Sequence, residues 1–131
     1  MTLSMLNPPT LPTPSGYSQV VVATGARMVF VAGQVALDSD GSLVSPGDVV
    51  GQARQAFANL RAAIEAAGAS IDDVTKIIWS VVGYRAELLP ELRAARDSVV
   101  GRHAPASTLV GVSGLAQPQF LVEVEAVAVV G

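Results

Sequence analysis

Two glutamates near the end of the chain have the spacing that most suggests chemistry. They lie in the segment FLVEVEAVAVV, from Phe120 to Val130, whose pattern predicts a β-strand. Alternate residues of a strand share a face, so Glu123 and Glu125 project together, about 7 Å apart, while the opposite face is entirely apolar. Unpaired carboxylates are costly to bury. The pair therefore indicates either a catalytic site or ion pairs at a subunit interface.

Other candidate motifs are weaker. Gly111 to Leu115, GVSGL, resembles the G-x-S-x-G nucleophile elbow, but its last residue is leucine and the single histidine lies upstream. That histidine, His103, has no metal-ligating residue at a suitable spacing and is expected on a solvated loop. A solvated helix face is expected to contain Arg93, Arg96, Asp97 and Arg102. Arg93 and Asp97 are four residues apart, a spacing that suits an ion pair.

Composition favours one domain that hides apolar surface in an assembly. The chain has 131 residues, of which 50% are hydrophobic and 15% charged, and its mean hydropathy is +0.48. Such a length suits a single core, here residues 1–131, preceded by a proline-rich lead-in over residues 1–15. No apolar run reaches the roughly 20 residues that a membrane helix needs. The excess of apolar residues therefore predicts a subunit interface.

Charge and cysteine content exclude several classes of function. The net charge is −3 and the eight lysines and arginines are scattered, whereas nucleic-acid binding needs clustered cations. The absence of cysteine excludes disulfides and thiolate chemistry. The first 16 residues lack the basic and apolar regions of a secretory signal, so a cytoplasmic protein is expected.

Periodicity and turn residues predict the order β-β-α-β-α-β-β. The first two strands are expected to form a hairpin. Asp48 is the expected N-cap of the first helix, and Pro90 suits the first turn of the second. The expected elements are strands Gln19–Thr24 and Met28–Leu37, a helix from Asp48 to Gly68, a strand Val74–Tyr84, a helix from Pro90 to about Gly101, and strands Thr108–Val112 and Phe120–Val130. This order predicts an α/β (α+β) domain with two helices on one face of a mixed sheet.

Several segments, taken in order, resemble the Rid family of reactive-intermediate deaminases, also called the YjgF or L-PSP family. The resemblance covers most of the chain from Asn7 onward, and it depends on the joint order of the segments. They are Gly16–Gln19 (GYSQ), Val29–Gly41 (VFVAGQVALDSDG), Gln52–Lys76, the stretch PASTLVGVSGLA from Pro105, and Leu121–Val129 (LVEVEAVAV).

This resemblance implies a chorismate-mutase-like fold that forms a homotrimer, with small-molecule clefts between subunits. Active members hydrolyse enamines or imines to keto acids and ammonia, without a metal or organic cofactor. An arginine in a P-A-R-S/T motif binds the substrate carboxylate, and a glutamate in a V-E-I-E motif helps to position and activate water. Neither nucleic acid nor a membrane is an expected partner.

Position by position, the resemblance makes Glu123 the catalytic glutamate and Tyr17 a substrate contact. Ala32 and Gly33 match a serine-glycine pair, with alanine replacing the serine, and Leu109 stands where cysteine is frequent. The substrate-binding candidates are therefore Tyr17, Ala32, Gly33, Leu109 and the residue at position 107.

Ser107 is the main departure from the family pattern, because it occupies the position of the carboxylate-binding arginine. Serine cannot supply a charged, bidentate clamp. Two hypotheses follow: an altered imine or enamine hydrolase, in which Arg93 could replace the lost guanidinium, or a non-catalytic metabolite-binding sensor or partner protein.

Overall fold

The computed structural model describes residues 2–131. Over these residues it contains six β-strands and two α-helices, with short 3-10 turns before the fourth strand and the second helix. The elements are β1 (Thr2–Leu6), β2 (Val20–Thr24), β3 (Arg27–Gln34), α1 (Val49–Ala66), β4 (Val74–Val82), α2 (Leu89–Val100), β5 (Ala106–Val112) and β6 (Val122–Val130).

The main sheet is mixed, as predicted, and has the strand order β3-β6-β4-β5. β6 is antiparallel to both of its neighbours, whereas β4 and β5 are parallel and are connected through α2. Both helices pack on one face of the sheet, where their apolar residues form the core with alternate residues of β4 and β6. Neither helix is long and apolar enough to cross a membrane in the part of the chain that is described.

The first helix begins and packs as its sequence predicts. Asp48 is its N-cap, and the carboxylate accepts a hydrogen bond from the Gly51 amide at 3.1 Å. The apolar stripe of α1 is fully buried, and it consists of Ala53, Ala56, Phe57, Leu60 and Ile64. Phe57 meets Trp79 of β4 edge to face with ring centroids 5.2 Å apart. Gly68, with φ of 77°, follows the last turn, in a conformation that favours glycine.

The predicted hairpin between Gln19–Thr24 and Met28–Leu37 is wrong. β2 pairs with β1, while β3 pairs with β6 at one edge of the main sheet. The reason is a distant anchor: Ser18 donates from its hydroxyl to the Ala104 carbonyl at 2.6 Å and from its amide to the Pro105 carbonyl at 3.1 Å, beside β5. Because β5 is the opposite edge strand, the chain after Ser18 must cross the sheet before it reaches β3.

The N-terminal lead-in contains a strand that the sequence pattern did not predict. β1 is antiparallel to β2, with Leu6 opposite Val20. Between these strands, Asn7 accepts a hydrogen bond from the Gln19 amide at 2.8 Å, which closes the proline-rich loop. This closed loop carries the chain toward the start of β5.

The last strand has the two unlike faces that its sequence predicts. Val122, Val124, Ala126 and Ala128 are buried against the helices, whereas the two glutamates are not buried. A fully buried Gln52 on α1 fixes the beginning of this strand. Its side chain accepts from the Leu121 amide at 2.9 Å and donates to the Gln119 carbonyl at 3.2 Å and the Ser45 carbonyl at 3.3 Å.

Candidate functional site

Strand register places Ser107 on the face of the sheet that the helices cover. In the parallel pairing of β4 with β5, Ser107 lies beside Ile77 and Leu109 lies beside Trp79. Ile77 and Trp79 are both buried under the helices. Since neighbouring residues in register share a face, Ser107 and Leu109 project toward α2 at the edge of the core.

These side chains open into a cavity of about 220 Å³ between β5, α2 and the loop before β2. We call it the helix-side pocket. It includes Tyr17, Arg93, Ser107 and Leu109, four of the residues singled out from the sequence. Its full lining is Ser15, Tyr17, Trp79, Tyr84, Leu89, Arg93, Arg96, Ser107, Leu109 and Gly111. The lining contains two guanidinium groups and no carboxylate.

Tyr17 reaches this pocket because the residues on either side of it are fixed. Ser18 is held at the start of β5 by the two hydrogen bonds described above. On the other side, Gly16 has φ of 76° and lies against the Arg96 guanidinium, so closely that a β-carbon would stand 2.5 Å from Nη2. A side chain at position 16 would therefore be both strained and obstructed.

The two arginines of α2 differ from the solvated face that the sequence predicted. Arg96 is only 7% exposed, and its Nε and Nη2 atoms both lie 2.9 Å from Asp97 Oδ1. Asp97 thus pairs with its sequence neighbour instead of with Arg93. Arg93 is half-buried and forms no ion pair with any residue from 2 to 131. Sequence spacing alone could not show whether Asp97 pairs with Arg93 or with Arg96. Burial of Arg96 depends on its contact with the loop at Gly16, which is far away in the sequence.

Glu123 lies on the other face of the sheet. It stands opposite Ser80 in the β4–β6 pairing, and Glu125 stands opposite Ile78. These four residues line a small cavity of about 130 Å³, which we call the carboxylate cavity. Glu123 is half-buried, whereas Glu125 is exposed.

Gly33 determines where the Glu123 side chain can lie. A β-carbon at position 33 would overlap the Glu123 carboxylate. The pairing of β3 with β6 is irregular between Val31 and Gln34, and this irregularity brings the glycine backbone against the glutamate. Ala32 lines an adjoining cleft of about 450 Å³ with Phe30, Lys76 and Glu125.

One chain therefore brings six of the seven predicted site residues together in two groups, while Ala32 lines the adjoining cleft. Tyr17, Arg93, Ser107 and Leu109 line the helix-side pocket, while Gly33 and Glu123 meet on the opposite face.

Sequence reasoning missed three residues that shape these groups: Gln52, Tyr84 and Arg96. Tyr84 packs over Gly111, where an added β-carbon would approach the tyrosine Cβ to 3.3 Å. The only sequence signal for Gln52 was a polar residue on the apolar stripe of α1.

Comparisons with known proteins agree with this fold. Residues 10–130 match the family described as Endoribonuclease L-PSP. A RutC family protein of Pyrococcus horikoshii is 34% identical over 120 residues, which cover 89% of this chain and 90% of the relative. A 2-iminobutanoate/2-iminopropanoate deaminase of Dermatophagoides farinae is 28% identical, with 96% of this chain and 95% of the relative covered.

Among solved structures, a protein of unknown function from Yersinia pestis, YyfB of the conserved Rid family, superposes with a TM-score of 0.92. It is 34% identical, and the match covers 99% of this chain and 100% of that protein. The sequence matches and the structural superposition both extend over nearly the whole domain. The chain therefore belongs to the L-PSP family, also known as the YjgF or Rid family.

Proposed function

We propose that this protein binds and hydrolyses a small imine or enamine that carries a carboxylate, and that Arg93 is its carboxylate anchor. The observation that carries the proposal is the unpaired Arg93 guanidinium in the same pocket as Ser107. The deaminase name of the Dermatophagoides farinae relative supports the reaction class. The cytoplasm, where amino-acid-degrading enzymes release imines, is the proposed location.

Ser107 and Arg93 line the pocket from different elements, one from β5 and the other from α2. An arginine at position 107 would project into the same cavity of about 220 Å³ and place a like charge near Arg93. A serine there leaves room for a ligand and adds a neutral hydroxyl. With Arg93 on α2 in place of an arginine at position 107, the pocket still contains a guanidinium group. Such a group can bind a carboxylate through two parallel hydrogen bonds.

The proposed reaction also needs Glu123, whose side chain lies on the opposite face of the sheet. A cleft that contains both Arg93 and Glu123 is therefore proposed to form between two copies, as the family resemblance implies for a homotrimer. Support comes from two large apolar residues of β3 on the helix-free face: Met28 is 62% exposed and Phe30 is 72% exposed. An association that covers them would remove apolar surface from water.

In the proposed chemistry, Glu123 takes a proton from water as the water oxygen bonds to the imine carbon. The C=N electron pair moves to nitrogen, which receives that proton, to give a carbinolamine. Glu123 then takes the hydroxyl proton and gives it to the nitrogen as the C=O bond forms and the C–N bond breaks, so that the nitrogen leaves as ammonia. Water and imine thus become keto acid and ammonia, with Glu123 returned to its starting state.

The test is Arg93→Gln in an assay that generates imines with an amino-acid oxidase and follows ammonia release above the uncatalysed rate. Loss of one member of a desolvated charge pair is expected to lower kcat/KM about 100-fold or more. Arg54→Gln, an exposed arginine of α1 outside the pocket, is the matched control. Unchanged kcat/KM in Arg93→Gln would exclude Arg93 as the anchor.

A non-catalytic binding protein is the second candidate. The separation of Glu123 from the helix-side pocket within one chain favours it, because a ligand in that pocket would not touch the glutamate of the same subunit. The wild-type protein distinguishes the two candidates. Keto-acid binding with no imine hydrolysis above the uncatalysed rate would support the binding protein and exclude the enzyme.

A further inference from the structure

Arg96 is a second cation in the helix-side pocket, and part of its guanidinium is free. Asp97 Oδ1 accepts a hydrogen bond from Nε and forms an ion pair with Nη2 at 2.9 Å. Nη1 makes no hydrogen bond to any of residues 2–131. No buried side-chain nitrogen or oxygen in that range lacks a partner, so Nη1 must reach solvent. An otherwise buried guanidinium with an accessible N–H edge is a preorganised anion-binding group.

The position of this edge is fixed by the backbone. The Nη1, Nη2 and Cζ atoms all lie within 3.4 Å of where a β-carbon of Gly16 would stand. The guanidinium is thus held directly against the residue before Tyr17. Because Arg96 is only 7% exposed and pairs with Asp97, it is expected to lose less side-chain entropy on binding an anion than a surface arginine would.

The pocket therefore holds more positive charge than one carboxylate neutralises. Its two arginines, Arg93 and Arg96, are three residues apart on the same face of α2. Asp97 offsets one of them only from outside the pocket, with a side chain that is 55% exposed to solvent screening. Four hydroxyls add neutral donors to the same lining: Ser15, Tyr17, Tyr84 and Ser107.

We propose that the ligand of the helix-side pocket carries two anionic groups, and that the substrate class is the α-imino dicarboxylic acids. Arg93 binds one carboxylate, and Arg96 Nη1 binds the other with help from the neighbouring hydroxyls. A volume of about 220 Å³ suits a short-chain acid, since pockets for larger ligands begin near 300 Å³. This inference rests on the proposed function and narrows its substrate.

The experiment measures binding of 2-oxopentanoate and 2-oxopentanedioate to the full-length protein by titration calorimetry. These stable product analogues have the same chain length and differ in one terminal carboxylate. Wild type is expected to bind the dicarboxylate at least about tenfold more tightly, the effect of one charged hydrogen-bonded contact. Arg96→Gln is expected to abolish this preference, because it weakens dicarboxylate binding at least about tenfold more than monocarboxylate binding.

The control variants, a failure of this inference and a failure of the proposed function each give a different binding result. Arg54→Gln should retain the wild-type preference, and Arg96→Lys, which keeps the charge, should retain part of it if Arg96→Gln does not fold. Equal wild-type affinity for the two acids would overturn the dicarboxylate inference while leaving the proposed function in place. Binding of neither acid would overturn the proposed function and this inference with it.

Discussion

The helix-side pocket and the carboxylate cavity lie on opposite faces of one sheet, and they differ in both charge and construction. Distant segments build the pocket: a loop before β2, the helix α2 and the edge strand β5. Neighbouring strands of the sheet build the cavity, from cross-strand partners of Glu123 and Glu125. Arginines line the pocket, and two glutamates line the cavity. In the proposed reaction the pocket binds the anion and the cavity supplies the base. Each therefore has a separable role in the proposed reaction, and variants can damage one without the other.

The largest expected effect follows from replacing the base. Glu123→Gln removes the carboxylate that accepts the proton of water and is expected to lower kcat about 1,000-fold, within the range of general base catalysis. Binding of 2-oxopentanoate, measured by calorimetry, should stay close to wild type, because the helix-side pocket is intact. Glu125→Gln is the matched control on the same strand face. Equal loss of activity in both variants would contradict the assignment to Glu123.

Exchanging the arginine between β5 and α2 tests the pocket. Arg93→Gln alone is expected to weaken keto-acid binding about 100-fold. Adding Ser107→Arg to that variant returns a guanidinium to the same cavity from β5 instead of α2, and about tenfold or more of the lost affinity should return. Calorimetry of the single and double variants measures both changes. If the double variant binds no better than Arg93→Gln, the two positions do not serve one anion.

Gln52 links the helix layer to the start of β6 and therefore to the carboxylate cavity. Gln52→Ala leaves the Leu121 amide and the Gln119 carbonyl without their buried partner, and the free energy of unfolding is expected to fall by about 2 kcal/mol. Chemical denaturation measures this loss. Gln55→Ala, whose side chain bonds only Asn59 on the same helix, is the matched control. Equal destabilisation by both would show that Gln52 has no special role at β6.

The smallest expected effect concerns Gly33. Gly33→Ala inserts a methyl group where the Glu123 carboxylate lies, so the glutamate must move. We expect kcat to fall about tenfold, a loss of near 1.4 kcal/mol in transition-state stabilisation, with little change in keto-acid binding. Steady-state kinetics measures the change in kcat, and calorimetry measures keto-acid binding. Gly114→Ala, at another glycine without a positive φ and with nothing within 4 Å of an added β-carbon, is the matched control.

Much of this molecule follows from local pattern. Ala53, Phe57, Leu60 and Ile64 recur at helical spacing, and all four are buried. The alternation in β6 predicted which face carries Glu123. Both are consequences of the helix and strand periods, so they require no knowledge of distant segments. The resemblance of ordered segments likewise predicted the family to which the chain belongs.

The pairing of β2 and β3 and the burial of Arg96 did not follow from local sequence pattern. The turn at Thr24–Arg27 has the chemistry of a hairpin, yet Ser18 is tied to the far edge of the sheet, and β2 must cross the sheet instead of pairing with β3. Arg96 is polar and lies on a helix, so its sequence predicts exposure. The loop at Gly16 covers it, and that contact is long-range.

The sequence by itself determined the family, the helices and the two-faced final strand, because periodic patterns act between near neighbours. Only the tertiary structure decided that Arg93 and Arg96 share a pocket with Ser107 while Glu123 faces away. The physical reason is strand register: β4 fixes which residues of β5 and β6 share each face, and register depends on contacts between segments far apart in the chain.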